Sequence, residues 1–301
     1  MNEKNYSRRQ FIGTTTLGAA ALAFSAKGSF CHAEDLRKYE PNLRDRLWMW
    51  GHPPGSLNGA FGIKKADTID MAAAIESMGI PNVCIIPMGD GNLRMPIDEY
   101  IKQFHNTKRV AWSVKYEEQQ QIDELCKKLP NLVSVFMDDF FSIGDNNGVP
   151  QEGQKVSPAH LSLEGVEKLQ EKMKGLKRDL AVVLYTLQLH PTIKYHIDYC
   201  DVVSFWTWDA KDLVALESHF KEYRKIVPDK PTLLGIYMWD FGAGRPITME
   251  LMKLQLDFAL EKFKQGEIEG MIFHCTPLVD LGLEAVEYSR KWIAEYGDLV
   301  R

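Results

Sequence analysis

The charge balance of this 301-residue chain argues against two classes of partner. Its 41 acidic and 36 basic residues give a formal net charge of -5, and the two signs are interspersed along the sequence. Such a chain offers no basic stripe for a nucleic acid and no cationic face for a membrane surface.

The first segment of the chain has the features of an export signal. Ser7-Arg8-Arg9-Gln10-Phe11 resembles the twin-arginine motif, which places Ser or Thr before the arginine pair and an apolar residue two places after it. The uncharged run from Phe11 to Ala26 is too short and too weakly apolar for a stable membrane span. We therefore predict a twin-arginine signal peptide in residues 1–33, cleaved after Ala26 or Ala33, and a protein located in the periplasm or at the cell surface.

Residues 34–301 are predicted to form one (β/α)8 TIM barrel. Short apolar runs alternate with segments of helical period, which is the pattern of repeated βα units. The strands are predicted at residues 47–50, 82–87, 110–115, 132–137, 180–186, 202–208, 232–239 and 270–274. The helices are predicted at residues 66–78, 97–104, 117–129, 163–176, 191–199, 213–226, 249–265 and 282–296. An open doubly wound sheet is the alternative, but Trp50-Gly51-His52-Pro53-Pro54-Gly55 lacks the glycine spacing of such folds.

The cysteines are predicted to be buried free thiols rather than a disulfide framework. They lie far apart in the sequence, and none belongs to a CxxC pair. The five positions are Cys31, Cys84, Cys126, Cys200 and Cys275.

Strand alternation identifies the side chains that should surround the mouth of the barrel. In the fourth strand Val133, Val135 and Met137 should face the helices, which turns Phe136 and Asp138 toward the barrel axis. The active site of a TIM barrel lies at the carboxyl ends of its strands. By the same argument we predict eight substrate-binding residues: His52, Lys115, Tyr185, Trp206, Trp208, Tyr237, Trp239 and His274.

Four carboxylates follow the strands in this ring and are the candidate catalytic residues. They are Asp138, Asp139, Asp209 and Asp240. Carboxylates beside aromatic rings suit a sugar, because a pyranose offers an apolar face for stacking and a rim of hydroxyl groups. Cleavage of a glycosidic bond requires two carboxyl groups, one of them protonated. Each of these acids also fits a structural role, in a turn or at a helix N-terminus.

Two motifs resemble segments of the TIM-barrel glycoside hydrolases. Residues 135–141 (Val-Phe-Met-Asp-Asp-Phe-Phe) are similar to the fourth-strand motif of several such families, in which an acid at the strand end takes part in catalysis. Residues 204–209 (Ser-Phe-Trp-Thr-Trp-Asp) are similar to the sixth-strand segment of chitinase-like and α-galactosidase-like barrels. The resemblance implies that Asp138 or Asp139 acts with Asp209, and that Asp240 is the reserve partner.

The sequence departs from these families at the acid positions. A chitinase-like barrel would carry Glu at Phe140, and the large clan with Glu on strands four and seven would carry Glu at Asp138 or Asp139 and at Asp240. The leading hypothesis is an exported glycoside-hydrolase-like enzyme with a carbohydrate substrate, no cofactor and no metal. The alternatives are a barrel that binds a glycan without cleaving it, and a metal-dependent sugar isomerase or epimerase similar to xylose isomerase.

Overall fold

The computed structural model describes residues 42–64, 69–89, 92–93, 97–114, 119–142 and 146–301. The predicted signal peptide in residues 1–33 lies outside the described residues, and so does Lys115. Within the described part of the chain, no helix combines the length and the apolar character that a membrane span requires.

Eight parallel strands of the described chain close into a barrel, which confirms the predicted (β/α)8 fold. The strands are β1 (Leu47–Gly51), β2 (Asn82–Ile85), β3 (Arg109–Ser113), β4 (Leu132–Met137), β5 (Asp179–Tyr185), β6 (Val202–Trp206), β7 (Thr232–Tyr237) and β8 (Gly270–His274). Each strand pairs with its neighbours in sequence, and β1 pairs with β8, where Leu47 lies opposite Met271. An open sheet would have two edge strands, each without a partner on one side, and the closed barrel has none, so that alternative is wrong.

Eight α-helices of the described chain surround the barrel. They are α1 (Met71–Met78), α2 (Ile97–Phe104), α3 (Gln119–Lys128), α4 (Leu163–Gly175), α5 (Lys194–Ile197), α6 (Leu216–Ile226), α7 (Met249–Lys264) and α8 (Glu284–Tyr296). Local chemistry sets their ends. The Asp70 side chain accepts a hydrogen bond from the Ala73 N–H at 2.7 Å at the start of α1, and Gly79, with a left-handed φ of 67°, ends that helix.

Several predicted boundaries differ from the structure. The predicted second, third, fifth, sixth and seventh strands extend one or two residues too far. The observed strands end at Ile85, Ser113, Tyr185, Trp206 and Tyr237. The predicted helix over residues 191–199 is a 3-10 turn, Pro191–Ile193, followed by the short α5. A second 3-10 segment, Ala210–Ala215, precedes α6, so that helix begins later than predicted.

Large aromatic side chains fill the upper barrel interior. Trp50 contacts Phe136 and Trp206, with ring centroids 5.0 and 5.2 Å apart. Phe136 and Trp206 therefore face inward, as strand alternation predicted. These rings form the floor of the barrel's carboxyl end.

The described cysteines are free thiols. Cys84, Cys200 and Cys275 are buried as predicted, whereas Cys126 is half-buried on α3. Cys31 lies outside the described residues.

Candidate functional site

A cavity of about 410 Å³ opens at the carboxyl ends of the strands. Eight of the predicted site residues line it: His52, Asp138, Asp139, Tyr185, Trp206, Trp208, Tyr237 and His274. Sequence reasoning missed seven others: Trp50, Leu57, Phe61, Asn147, Val183, Leu187 and Phe241. Trp50 and Val183 share a strand face with His52 and Tyr185, so alternation was a signal that could have found them. Four of the others lie in loops and Leu187 lies in a 3-10 turn after β5, where strand alternation does not apply.

Asp138 and Asp139 are the first two residues after β4 and lie at the cavity together. The Asp139 N–H donates a hydrogen bond to Asp138 Oδ1 at 3.1 Å. The Tyr185 hydroxyl, at the end of β5, donates to Asp139 Oδ1 at 3.0 Å. The pair is therefore held by one backbone contact and one side chain from the neighbouring strand.

The two carboxyl groups do not titrate alike. Burial raises the pKa of Asp138 to about 8, and the negative charge of Asp139 acts in the same direction. Burial of its carboxyl group also raises the pKa of Asp139, but the hydrogen bond from Tyr185 opposes this shift. Near neutral pH Asp138 thus keeps its proton, while the Tyr185 hydroxyl favours the charged form of Asp139.

Two histidines line the wall formed by β1 and β8. Their rings lie edge to face with centroids 5.6 Å apart. Burial lowers the pKa of His52 to about 4 and holds the pKa of His274 well below its usual range. Both rings are therefore neutral at neutral pH, so they can exchange hydrogen bonds with an uncharged ligand.

Two buried polar atoms of the described cavity residues lack a hydrogen-bond partner. Among the described residues, neither His274 Nδ1 nor Trp206 Nε1 has a hydrogen-bond partner. Leaving a buried donor or acceptor unsatisfied is costly, so both atoms are polar groups that the packing of the barrel interior leaves unpaired.

Trp208 is the centre of the aromatic wall. Its ring contacts Tyr185, Tyr237, Phe241 and Phe61, with centroids between 5.7 and 6.1 Å apart. Edge-to-face geometry dominates these contacts, as is usual for packed aromatic rings. Trp208, Tyr185 and Tyr237 present the kind of rigid apolar surface on which the C–H face of a sugar ring stacks.

Backbone strain is concentrated at the cavity. Four described residues other than glycine have a positive φ, and three of them line the cavity: Phe61, Asp139 and Asn147, at 50°, 46° and 44°. The fourth is Lys177. Left-handed backbone is unfavourable for residues with a side chain and tends to persist at functional sites.

Three predicted site residues lie outside the cavity lining, in the loops after β6 and β7. Asp209 Oδ2 lies 3.2 Å from Lys211 Nζ. Asp240 accepts a hydrogen bond from the Ala243 N–H at 3.0 Å and closes a turn. Trp239 belongs to a two-residue ribbon, and its indole N–H donates to the Phe61 carbonyl at 3.0 Å. The structure gives all three residues loop-building contacts.

Gln255 on α7 holds Tyr237 in position from behind the barrel wall. Its side chain accepts from the Tyr237 N–H at 3.1 Å and donates to the Tyr237 carbonyl at 2.7 Å. We expect Gln255→Leu to lower the free energy of unfolding by about 2–4 kcal/mol, because two buried backbone groups lose their partner. Urea denaturation measures this, with the exposed Gln265→Leu as the control; equal stability of the two variants would contradict the prediction.

The described residues contain no group of three or more His, Cys, Asp or Glu side chains that could hold a metal ion. The four cavity residues of these types, His52, Asp138, Asp139 and His274, do not converge on one point. No observation on this part of the chain favours the metal-dependent isomerase alternative.

Comparisons with known proteins agree with the fold. No protein-family model matches the chain. A search of curated proteins also finds no match. Solved structures do match: a xylanase and α-amylase inhibitor protein from Scadoxus multiflorus has a TM-score of 0.53 and 12% identity, over 82% of this chain and 97% of that chain. A group IV chitinase from Ostrinia furnacalis has a TM-score of 0.52 and 9% identity, over 84% of this chain and 100% of that chain. At such identities the likeness shows the barrel fold alone.

Proposed function

We propose that this chain is an exported glycoside-hydrolase-like enzyme that acts on a glycan or a glycoside. The observation that carries the proposal is the Asp138–Asp139 pair, with its proton held on Asp138, at the mouth of an aromatic-walled cavity. A sugar needs both elements, because its C–H face stacks on rings while its glycosidic oxygen needs an acid. Export is inferred from the sequence of residues 7–26.

The two carboxyl groups have different roles in this proposal. Asp138 donates its proton to the leaving glycosidic oxygen, since it is the group that stays protonated at neutral pH. Asp139, whose charged form the Tyr185 hydroxyl favours, stabilises the positive charge that develops on the sugar ring. A water molecule then forms the new bond to the anomeric carbon and gives its proton to the Asp138 carboxylate. His52, Tyr237 and His274 bind the sugar hydroxyl groups. Asp209 and Asp240 hold the loops around the cavity and have no chemical step.

A second candidate function is glycan binding without cleavage. The observation that favours it is that the carboxylates among the described cavity residues come from β4 alone, rather than from two strands facing each other. Barrels of this fold include both a chitinase and an inhibitor protein, so the fold accommodates an enzyme and a non-enzyme.

One experiment separates the two candidates. A panel of aryl glycosides and oligosaccharides is assayed in parallel for release of the leaving group and for binding by calorimetry. Release that is lost in an Asp138→Asn variant supports the hydrolase. Saturable binding with no release across the panel would replace the hydrolase with the binding protein.

Tyr185→Phe is expected to move the acidic limb of the pH–rate profile to higher pH. The Tyr185 hydroxyl favours the charged form of Asp139, so its removal raises the pKa of Asp139 and a larger share of Asp139 is protonated under mildly acidic conditions. The pH dependence of kcat/KM measures the shift. Tyr195→Phe is the matched control, since Tyr195 is exposed and does not line the cavity. An unchanged acidic limb in Tyr185→Phe would contradict the assigned role of Asp139.

A further inference from the structure

Two large apolar side chains lie exposed at the cavity. Phe61 is 43% exposed and Leu187 is 42% exposed, and both line the cavity. The other large hydrophobic residues exposed in the described chain, Tyr195, Val214 and Val300, do not line it. Single exposed apolar residues need no explanation, but a pair at one cavity indicates a binding surface.

The exposed ring of Phe61 is held in place by the loop after β1. Its ring packs edge to face on Trp208 and Phe241, with centroids 5.7 and 5.3 Å away, and its carbonyl accepts the Trp239 indole N–H at 3.0 Å. Gly62 packs so closely on Gly244 that a Cβ at Gly62 would overlap the Gly244 carbonyl. The loop after β1 therefore packs against the loop after β7, and these contacts fix the position of the Phe61 ring.

The cavity changes character from the strand ends to the loops. Polar groups lie on the strands or directly after them, as with Asp138, Tyr237 and His274. Farther along the loops the lining is the apolar rim, which we define as Leu57, Phe61, Leu187 and Phe241. Among the described loop residues beyond the strand ends, Asn147 is the polar exception.

We propose that the apolar rim binds an apolar aglycone, so that the substrate class is glycosides of aryl or alkyl alcohols. This inference rests on the proposed function and names the substrate of the same site. The sugar occupies the polar strand ends, and the leaving group lies against Phe61 and Leu187. A second sugar unit fits this rim less well, because its hydroxyl groups would lose water without gaining side-chain partners there.

Binding of 1-thioglycosides tests the inference, because the sulfur link resists hydrolysis. Methyl, phenyl and octyl 1-thioglycosides of glucose, galactose, xylose and N-acetylglucosamine, in both anomers, are titrated by calorimetry. For a sugar that binds, we expect the phenyl and octyl compounds to bind about tenfold more tightly than the methyl compound. Phe61→Ala and Leu187→Ala should remove most of this gain, so that each variant binds the methyl, phenyl and octyl compounds with similar affinity. Val214→Ala, at an exposed position outside the cavity, should keep the gain.

Three outcomes would overturn the inference. In the first, none of the compounds binds. In the second, the phenyl and octyl compounds bind no more tightly than the methyl compound. In the third, the gain in affinity persists in both Phe61→Ala and Leu187→Ala. A thio-linked disaccharide that gains more than the phenyl compound, and loses that gain in Phe61→Ala, would instead assign the rim to a second sugar. The release assays test the hydrolase proposal, and the calorimetry tests the apolar rim. The two results are independent, because the gain in affinity does not depend on cleavage.

Discussion

Asp138→Asn is expected to lower the turnover of any glycoside that the wild-type protein cleaves by about 100-fold or more. The amide is nearly isosteric, and its oxygen can still accept the hydrogen bond from the Asp139 N–H. It cannot donate a proton to the leaving oxygen. In the wild-type protein, kcat/KM should fall as the pH rises through about 8, where Asp138 loses its proton. Initial rates from pH 4 to 10 measure both effects.

The same substitution should stabilise the fold at high pH. The pKa of Asp138 rises from its ordinary 3.8 to about 8 on folding, so the folded protein binds more protons than the unfolded chain between these values. The contribution of the protonated carboxyl to stability is complete below about pH 4 and is lost as the pH rises through about 8. Asp138→Asn does not titrate. Its Tm should match the wild type near pH 4 and exceed it at pH 9.

Asp209→Asn is the control for this prediction. Asp209 follows β6, two strands along the barrel from β4, but it contacts Lys211 outside the cavity lining. Activity of the control should stay within about threefold of the wild type, since the group touches no reacting atom. Loss of activity in Asp209→Asn with full activity in Asp138→Asn would transfer the acid role to the loop after β6.

The strands and helices of the barrel could be predicted from the sequence because the periodicities of strands and of helices are enough to locate them. Apolar runs of strand length alternate with helical segments, and within each strand the alternation of side chains assigns a face. Phe136 and Trp206 face inward for this reason, and Asp138 reaches the mouth of the barrel. These inferences required no long-range information.

The alternation of side chains along a strand no longer predicts their direction where the parallel strand pairing ends. Beyond Trp206 and Tyr237 the chain enters a 3-10 segment and a two-residue ribbon, so the direction of each side chain depends on loop contacts. Trp208 still faces the cavity, whereas Trp239 turns its indole to the Phe61 carbonyl. In the sequence both tryptophans come shortly after a barrel strand, so the same side-chain direction is predicted for both. Their directions differ because Trp239 bonds to a loop 178 positions away in the sequence.

The left-handed loop residues were beyond sequence reasoning for a related reason. Phe61 takes a conformation that its residue type does not favour, and its carbonyl is held by the Trp239 indole N–H. Residues 58–62 (Asn-Gly-Ala-Phe-Gly) indicate a turn, but a turn signal does not reveal which side chain will face a cavity. The left-handed backbone of Phe61 is a feature of functional sites, but it can be recognised only from the folded structure.

Gly235→Ala is expected to destabilise the barrel by about 2 kcal/mol or more and to abolish ligand binding. Gly235 lies on β7, and a Cβ there would overlap the Trp206 ring. That ring is 2% exposed and is packed between Trp50 and Tyr237, with both centroids 5.2 Å away. The Trp206 ring cannot move away without displacing its neighbours, so the added methyl group overpacks the barrel interior. Urea denaturation measures the stability, and calorimetry with a bound glycoside measures the site.

Gly175→Ala is the matched control, because Gly175 ends α4 and a Cβ there would meet no atom within 4 Å. This variant should be as stable as the wild type or more so, since alanine restricts the unfolded chain and favours the helix. The double variant Gly235→Ala, Trp206→Phe should recover part of the lost stability, because the smaller ring vacates the space that the new methyl group needs. If the double variant is no more stable than Gly235→Ala alone, the overlap with Trp206 is not the cause of the loss.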